Sequence, residues 1–145
     1  MALTSTLYHF VIDLSHVDRG AYTSLDLRVA RHPSETERSL CARVLAYCLY
    51  FQDGIAFSKE GIASKDEPAL SVRNATTSAN GYDLWIDVGT PSAERIHKAS
   101  KASRHVVIVT HHEPRLLQDT ARARSEFTDS KTSKRSRSPP RFSRP

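Results

Sequence analysis

The sequence has no run of about 18 apolar residues, which excludes a membrane-spanning helix. Its N-terminus, MALTSTLYHFVIDLSHVD, has neither the basic flank nor the small-residue cleavage site of a secretory signal, so a cytoplasmic location with no membrane association is expected. Cysteine is scarce: Cys41 and Cys48 are the only two. Seven residues apart on one expected helix, they stand about 10 Å apart along its axis, too far for a disulfide. Free thiols of this kind suit a reducing compartment, and both are read as core residues. There is no glycine-rich phosphate loop, no paired Cys-x-x-Cys and no Gly-x-Ser-x-Gly elbow, so no nucleotide-cradling loop or serine nucleophile is signalled. No small-molecule cofactor is expected.

What is present is a net charge of +5 over 145 residues, unevenly divided. Residues 121–145 hold eight Lys or Arg against two acids, whereas residues 1–120 hold thirteen basic against fourteen acidic residues. The basicity therefore belongs to the tail and gives no basic domain face. Beyond Glu113 the apolar content collapses into a Ser, Arg, Lys and Pro mixture that cannot offset its ordering entropy. The expected organisation is a domain over residues 1–115 and a disordered basic segment over 116–145.

Two β-rich runs, Thr4–Leu14 and Tyr22–Ala30, flank the turn-like SHVDRGA and predict an antiparallel hairpin with Leu25, Leu27 and Val29 inward. Ser34 and Glu37 have capping-box spacing and predict a helix start, after which Leu40, Val44, Tyr47, Cys48 and Phe51 form one apolar stripe up to Asp53-Gly54. A short strand is expected over 55–58, and 59–81 is polar with only Leu70 and Val72 to read. YDLWIDVG alternates strictly, with Leu84, Ile86 and Val88 on one face and Asp83, Trp85 and Asp87 on the other. Thr90-Pro91 supplies a helix start, Ile96 and Ala99 face inward, and HVVIVT follows as a fully buried strand, giving a parallel βαβ unit.

Asp87 lies at the carboxyl end of a parallel strand beside a Gly-Thr-Pro turn, where α/β sheets place ligands. The same pattern also describes two solvated acids on an exposed strand face, the reading that the pattern by itself favours. Asp83 and Asp87 are about 13 Å apart along the strand and cannot share an ion. Arg95, Lys98 and Lys101 recur at helical spacing, so their charges can gather near the strand end or form a solvated stripe. Asp66 and Glu67 precede Pro68 in a loop, and Glu35 belongs to the first turn of the capped helix. His111-His112-Glu113 fits a strand-end loop better than a metal cluster, because adjacent strand residues face opposite ways.

Taken together, ARHPSET, DEPAL, DLWIDVG and ERIHKA, in this order, make the chain resemble the YaeQ family of bacterial proteins from about residue 1 to residue 113. The resemblance implies an α/β (α+β) fold: a mixed central β-sheet flanked by helices, restriction-endonuclease-like, with an N-terminal β-hairpin. It further implies a variant PD-(D/E)xK nuclease centre in which Asp87, Asp66 and Glu35 hold Mg²⁺ or Mn²⁺, with nucleic acid as partner. Gly89 stands where that pattern has its lysine, leaving Lys98 on the next helix as the substitute. Family members continue with further strands, so a truncation or frameshift is expected. Two functions follow: a Mg²⁺-dependent nuclease-like phosphodiesterase, or a catalytically inactive nucleic-acid or protein-interaction module that retains the fold.

Overall fold

Strands β1 (Thr6–His16) and β2 (Ala21–Arg31) pair antiparallel without a register break, from Thr6 opposite Arg31 to His16 opposite Ala21. A 3₁₀ turn, Val17–Arg19, joins them. Gly20 reverses the chain at φ +63°, a left-handed conformation favouring glycine, and its N–H bonds the Val17 carbonyl at 3.2 Å. That tight reversal lets the ladder run further toward the turn than composition predicts. The structure, a computed structural model, describes residues 4–59, 62, 64–75 and 81–111. The expected disordered segment therefore lies outside the described residues.

Helix α1 spans Glu37–Leu49. It is not started by the expected Ser34–Glu37 capping box. Thr36 is the N-cap, its hydroxyl accepting the Ser39 N–H at 3.2 Å, while the Ser34 hydroxyl is engaged by the His32 ring and Glu37 turns toward Arg31. Thr36→Ala is accordingly expected to cost about 1 kcal/mol in urea denaturation, and Ser34→Ala distinctly less; equal costs would restore the capping box. Leu40 and Val44 pack with Val29, Tyr8, Phe10 and Ile12 of the hairpin, whereas Ala46 packs on the sheet with Ile55, Leu70, Leu84 and Ile86. Phe57 touches both groups and links hairpin, helix and sheet. Fully burying a side chain such as Leu40 contributes about 1.5–3 kcal/mol. Cys41 is exposed and Cys48 half-buried, so the reading of both as core is corrected: Cys41 falls outside the stripe.

The second sheet has the order β3-β4-β5-β6, with β3 Ile55–Phe57, β4 Leu70–Arg73, β5 Tyr82–Val88 and β6 Ser103–Val109. β3, β4 and β5 are antiparallel neighbours and β5 pairs parallel with β6, so the sheet is mixed as expected. Helix α2 (Ala93–Ala102) connects the parallel pair and buries Ile96 and Ala99. Its N-cap is Ser92 rather than Thr90, because Gly89 at φ +101° is still turning the chain out of β5. β6 is the edge strand of this sheet, and its Val106–Val109 stretch is half-buried rather than fully buried as HVVIVT suggests. β5 is covered on both faces: α1 lies over Leu84 and Ile86, and the Arg95 side chain of α2 lies over the Trp85 ring on the opposite one. Among the described residues no helix is long and apolar enough to cross a membrane.

Candidate functional site

Asp87 sits near the end of β5, two residues before Gly89, and its carboxylate is buried rather than solvated, only 4% of the residue being exposed. The reading as two exposed acids therefore fails for Asp87. Trp85, two residues earlier on the same face, donates its indole N–H to Oδ2 at 3.0 Å. Arg95 donates Nε–H to Oδ2 and Nη2–H to Oδ1, both at 2.8 Å, a bidentate pair. The Ser92 cap sets this up, because starting α2 there puts Arg95 on the first turn, directed back at the strand end.

The remaining guanidinium donors reach across to the loop before β4. Nη1 bonds the carbonyls of Ser64 and Lys65 at 3.1 and 3.0 Å, and Nη2 that of Glu67 at 2.8 Å. An arginine has five N–H donors, and all five are used. Inside the loop, the buried Ser64 hydroxyl accepts the N–H groups of Asp66 and Glu67, so the segment is held by itself and by Arg95 together. The bonds to Asp87 raise the Arg95 pKa further above its ordinary range, fixing the positive charge.

Lys98, one turn beyond Arg95, pairs with the exposed Asp66 carboxylate. Hydrogen bonding to Lys98, then its charge, then the charges of Arg95 and Lys65 lower the Asp66 pKa. A depressed carboxylate pKa stabilises the fold above the unfolded value of about 3.9, and that contribution disappears as pH falls through the folded pKa. An NMR titration should find Asp66 below the ordinary value, and Lys98→Ala should raise it toward that value, the charges of Arg95 and Lys65 remaining; an unchanged midpoint would refute the pairing.

Two clefts flank this cluster. One of about 330 Å³ is lined by Ser64, Lys65, Asp87, Thr90, Pro91 and Arg95 among others. The second, about 360 Å³, is lined by Lys65, Asp66, Ser92, Glu94, Arg95 and Lys98.

Glu35 is elsewhere. Its carboxylate, fully buried, forms a bidentate pair with the equally buried Arg43 of α1, at 2.7 and 2.8 Å, and Arg43 also donates to the Ala30 carbonyl at 2.8 Å. Asp83 is likewise separate, accepting from Asn74 Nδ2 at 2.9 Å and facing Arg104 at 3.7 Å.

The family model described as YaeQ protein matches residues 1–132, well over half of the chain and past residue 113, where the motif resemblance ends. The chain belongs to the YaeQ family. It is 35% identical over 111 residues to the uncharacterised YaeQ protein of Escherichia coli K12, covering 77% of this chain and 59% of that protein. The Salmonella typhi YaeQ protein is 36% identical over 108 residues, covering 74% and 58%. Crystal structures of YaeQ proteins agree in fold: that from Pseudomonas syringae has TM-score 0.71 at 34% identity, covering 80% of this chain and 63% of the other. That from Xanthomonas axonopodis pv. citri has TM-score 0.74 at 34% identity, covering 86% and 70%. The chain thus spans about three fifths of the length of the curated YaeQ relatives it matches.

Within this YaeQ fold, β5 and α2 bring together Asp66, Asp87 and Lys98 of the expected set, and not Glu35. Two residues do most to shape the site, Arg95 and Trp85. Helical spacing presents Arg95 only as part of a cationic stripe, yet it is the residue that ties loop, strand and helix. A signal for it exists in the eight-residue interval from Asp87, which spans one tight turn and one helical turn. Lys101 remains exposed. Gly89 explains the missing strand lysine: no atom would crowd a Cβ there, but its φ of +101° disfavours any side chain. His111 follows β6, as a strand-end reading requires, while His112 and Glu113 lie outside the described residues.

The residues present do not fit the Mg²⁺ that the nuclease-like pattern implies. A hard ion needs several free oxygen ligands, whereas the Asp87 oxygens accept three donors and Asp66 is paired with Lys98. Glu35 is neutralised by Arg43. Among the described residues no three His, Cys, Asp or Glu side chains form a metal-holding group.

Proposed function

We propose that this chain is a non-catalytic interaction module that keeps the nuclease-like fold, with another protein as its partner. The observation that carries the reading is that all five N–H groups of Arg95 are spent on Asp87 and the 64–67 loop, filling with a fixed cation the place a metal centre would need. Protein is preferred to nucleic acid because two of the three cations lining the clefts are committed, Arg95 to Asp87 and Lys98 to Asp66, which leaves Lys65 alone to meet a phosphate. In addition, residues 1–120 carry slightly more acid than base. Calorimetric titration with Mg²⁺ and Mn²⁺, alongside cleavage assays on single- and double-stranded DNA and RNA, should give neither Asp87-dependent heat nor cleavage. Cleavage abolished by Asp87→Asn would overturn the reading. Nucleic-acid binding that steepens at low salt and vanishes on deleting residues 121–145 would reflect tail electrostatics alone.

The second reading is a Mg²⁺-dependent nuclease-like phosphodiesterase using Asp66, Asp87 and Lys98. It is favoured by the convergence of these three at the carboxyl end of β5 beside two clefts. It requires Arg95 to leave Asp87 when substrate and ion arrive, and the same cleavage assay separates the two.

A further inference from the structure

Strand β6 ends the four-stranded sheet, and its backbone faces two ways. The Gly89 N–H bonds the Val109 carbonyl at 2.8 Å, so Val109 directs its polar groups at β5. Successive strand residues point those groups to opposite sides, so Val107, His105 and Ser103 face β5 as well. The N–H and C=O groups of Arg104, Val106 and Ile108 therefore point outward, where no described strand lies. Such a row of donors and acceptors is a template for one more strand. Proteins blunt exposed edges with charge, proline or a bulge. The Val106–Val109 stretch uses none of these: four β-branched residues run consecutively, half-buried, and pair with β5 without a shift.

We infer that this edge binds an extended segment of a partner protein by strand addition, and that the segment alternates acidic with apolar side chains. This rests on the reading of the chain as a protein-interaction module, and it names the surface and the kind of partner. A cleft of about 320 Å³ beside β6 is lined by Leu84, Val107, Tyr50, Arg19 and His105 among others, on the α1 face of the sheet. A strand laid on β6 sends every second side chain to that face, and an apolar one fills the cleft. Charge decides the rest. Arg19 and His105 are exposed, Lys101 is exposed two residues before β6, and the Arg104 side chain is 73% exposed. Asp83, the acid lining the cleft, already accepts from Asn74 at 2.9 Å and faces Arg104 at 3.7 Å. The edge is thus ringed by cations, although residues 1–120 carry slightly more acid than base. Acids on the partner meet these charges, and lysines are disfavoured. A nucleic-acid strand would use the cations and leave the apolar cleft and the outward backbone groups unfilled, whereas a polypeptide uses all three.

The full chain is titrated into a fluorescein-labelled peptide of about eight residues, a strand's length, alternating Glu with Val, and anisotropy is read. Saturable binding is expected, with a Lys/Val counterpart several-fold weaker. Methylating the peptide's backbone nitrogens at alternate residues gives two versions, of which the one methylated toward β6 should lose binding and the other keep it. On the protein, Val106→Pro removes one outward N–H and should weaken binding by up to about tenfold. Arg104→Glu should weaken the Glu peptide and strengthen the Lys one. Equal effects of the two methylation patterns overturn strand addition whatever the variants do. No binding of either peptide overturns the edge as a docking site and leaves the metal-free reading intact. Peptide binding alongside Asp87-dependent cleavage would sink that reading and keep the edge. Two results overturn the inference by naming another occupant. A dimer seen by light scattering and dispersed by Val106→Pro would be a second copy of the chain. Single-stranded RNA bound more tightly than the Glu peptide, and lost in Arg104→Glu, would be nucleic acid.

Discussion

Glu35→Ala is expected to destabilise the fold by roughly 3–5 kcal/mol, because it leaves the buried Arg43 charge without its partner. Both side chains of the pair are withdrawn from water, 0% and 1% exposed, so nothing outside the fold can compensate the loss. Small domains have only about 5–15 kcal/mol of stability in total. With a urea m-value of about 1–3 kcal/mol/M the midpoint should fall by on the order of 2 M. The control is Glu35→Ala with Arg43→Met: removing both charges and filling the space should recover much of the loss, since buried ion pairs are often replaceable by apolar groups. If Glu35→Ala costs under about 1 kcal/mol, the pair is not structural, and Glu35 becomes available again for the ligand role that the nuclease-like pattern implies for it.

Asp87→Ala should cost about 2–4 kcal/mol, the lower end reflecting the partial exposure of Arg95, which can regain some water. Three bonds are lost at once: two from Arg95 and one from the Trp85 indole. The 64–67 loop also loses the anchor of its arginine, so hydrogen exchange there should rise together with a shift in Trp85 emission. A double-mutant cycle between Asp87→Ala and Arg95→Ala should be non-additive by about 0.5–3 kcal/mol. Additive effects would mean the two residues act separately. A purely catalytic aspartate behaves otherwise, its removal leaving stability little changed.

These expectations attach to residues that sequence patterns rank in a different order. Alternation alone makes Leu84, Ile86 and the Asp83, Trp85, Asp87 face legible, and helical spacing picks out Leu40, Val44, Ile96 and Ala99 as buried positions. Capping is less legible. The Ser34–Glu37 spacing is a valid cap signal, but the His32 ring competes for the Ser34 hydroxyl and the chain starts α1 two residues later. β4 is nearly invisible because Leu70 and Val72 are its only two aliphatic positions, and its pairing with β5 supplies what propensity does not.

Local sequence thus determined the hairpin, the two helices, the parallel βαβ unit and the presence of a carboxylate at the end of β5, because each depends on periodicities and turns of a few residues. Only the tertiary structure decided what those carboxylates face. Glu35 meets Arg43 and Asp87 meets Arg95, each eight residues along the chain, while Arg95 also binds carbonyls some thirty residues before it. Partner choice of that kind follows from how α1 and α2 are set against the strands, and from the cost of burying a charge without a counter-charge. That cost turns the expected ligand set into two closed ion pairs and a lysine-bound surface acid.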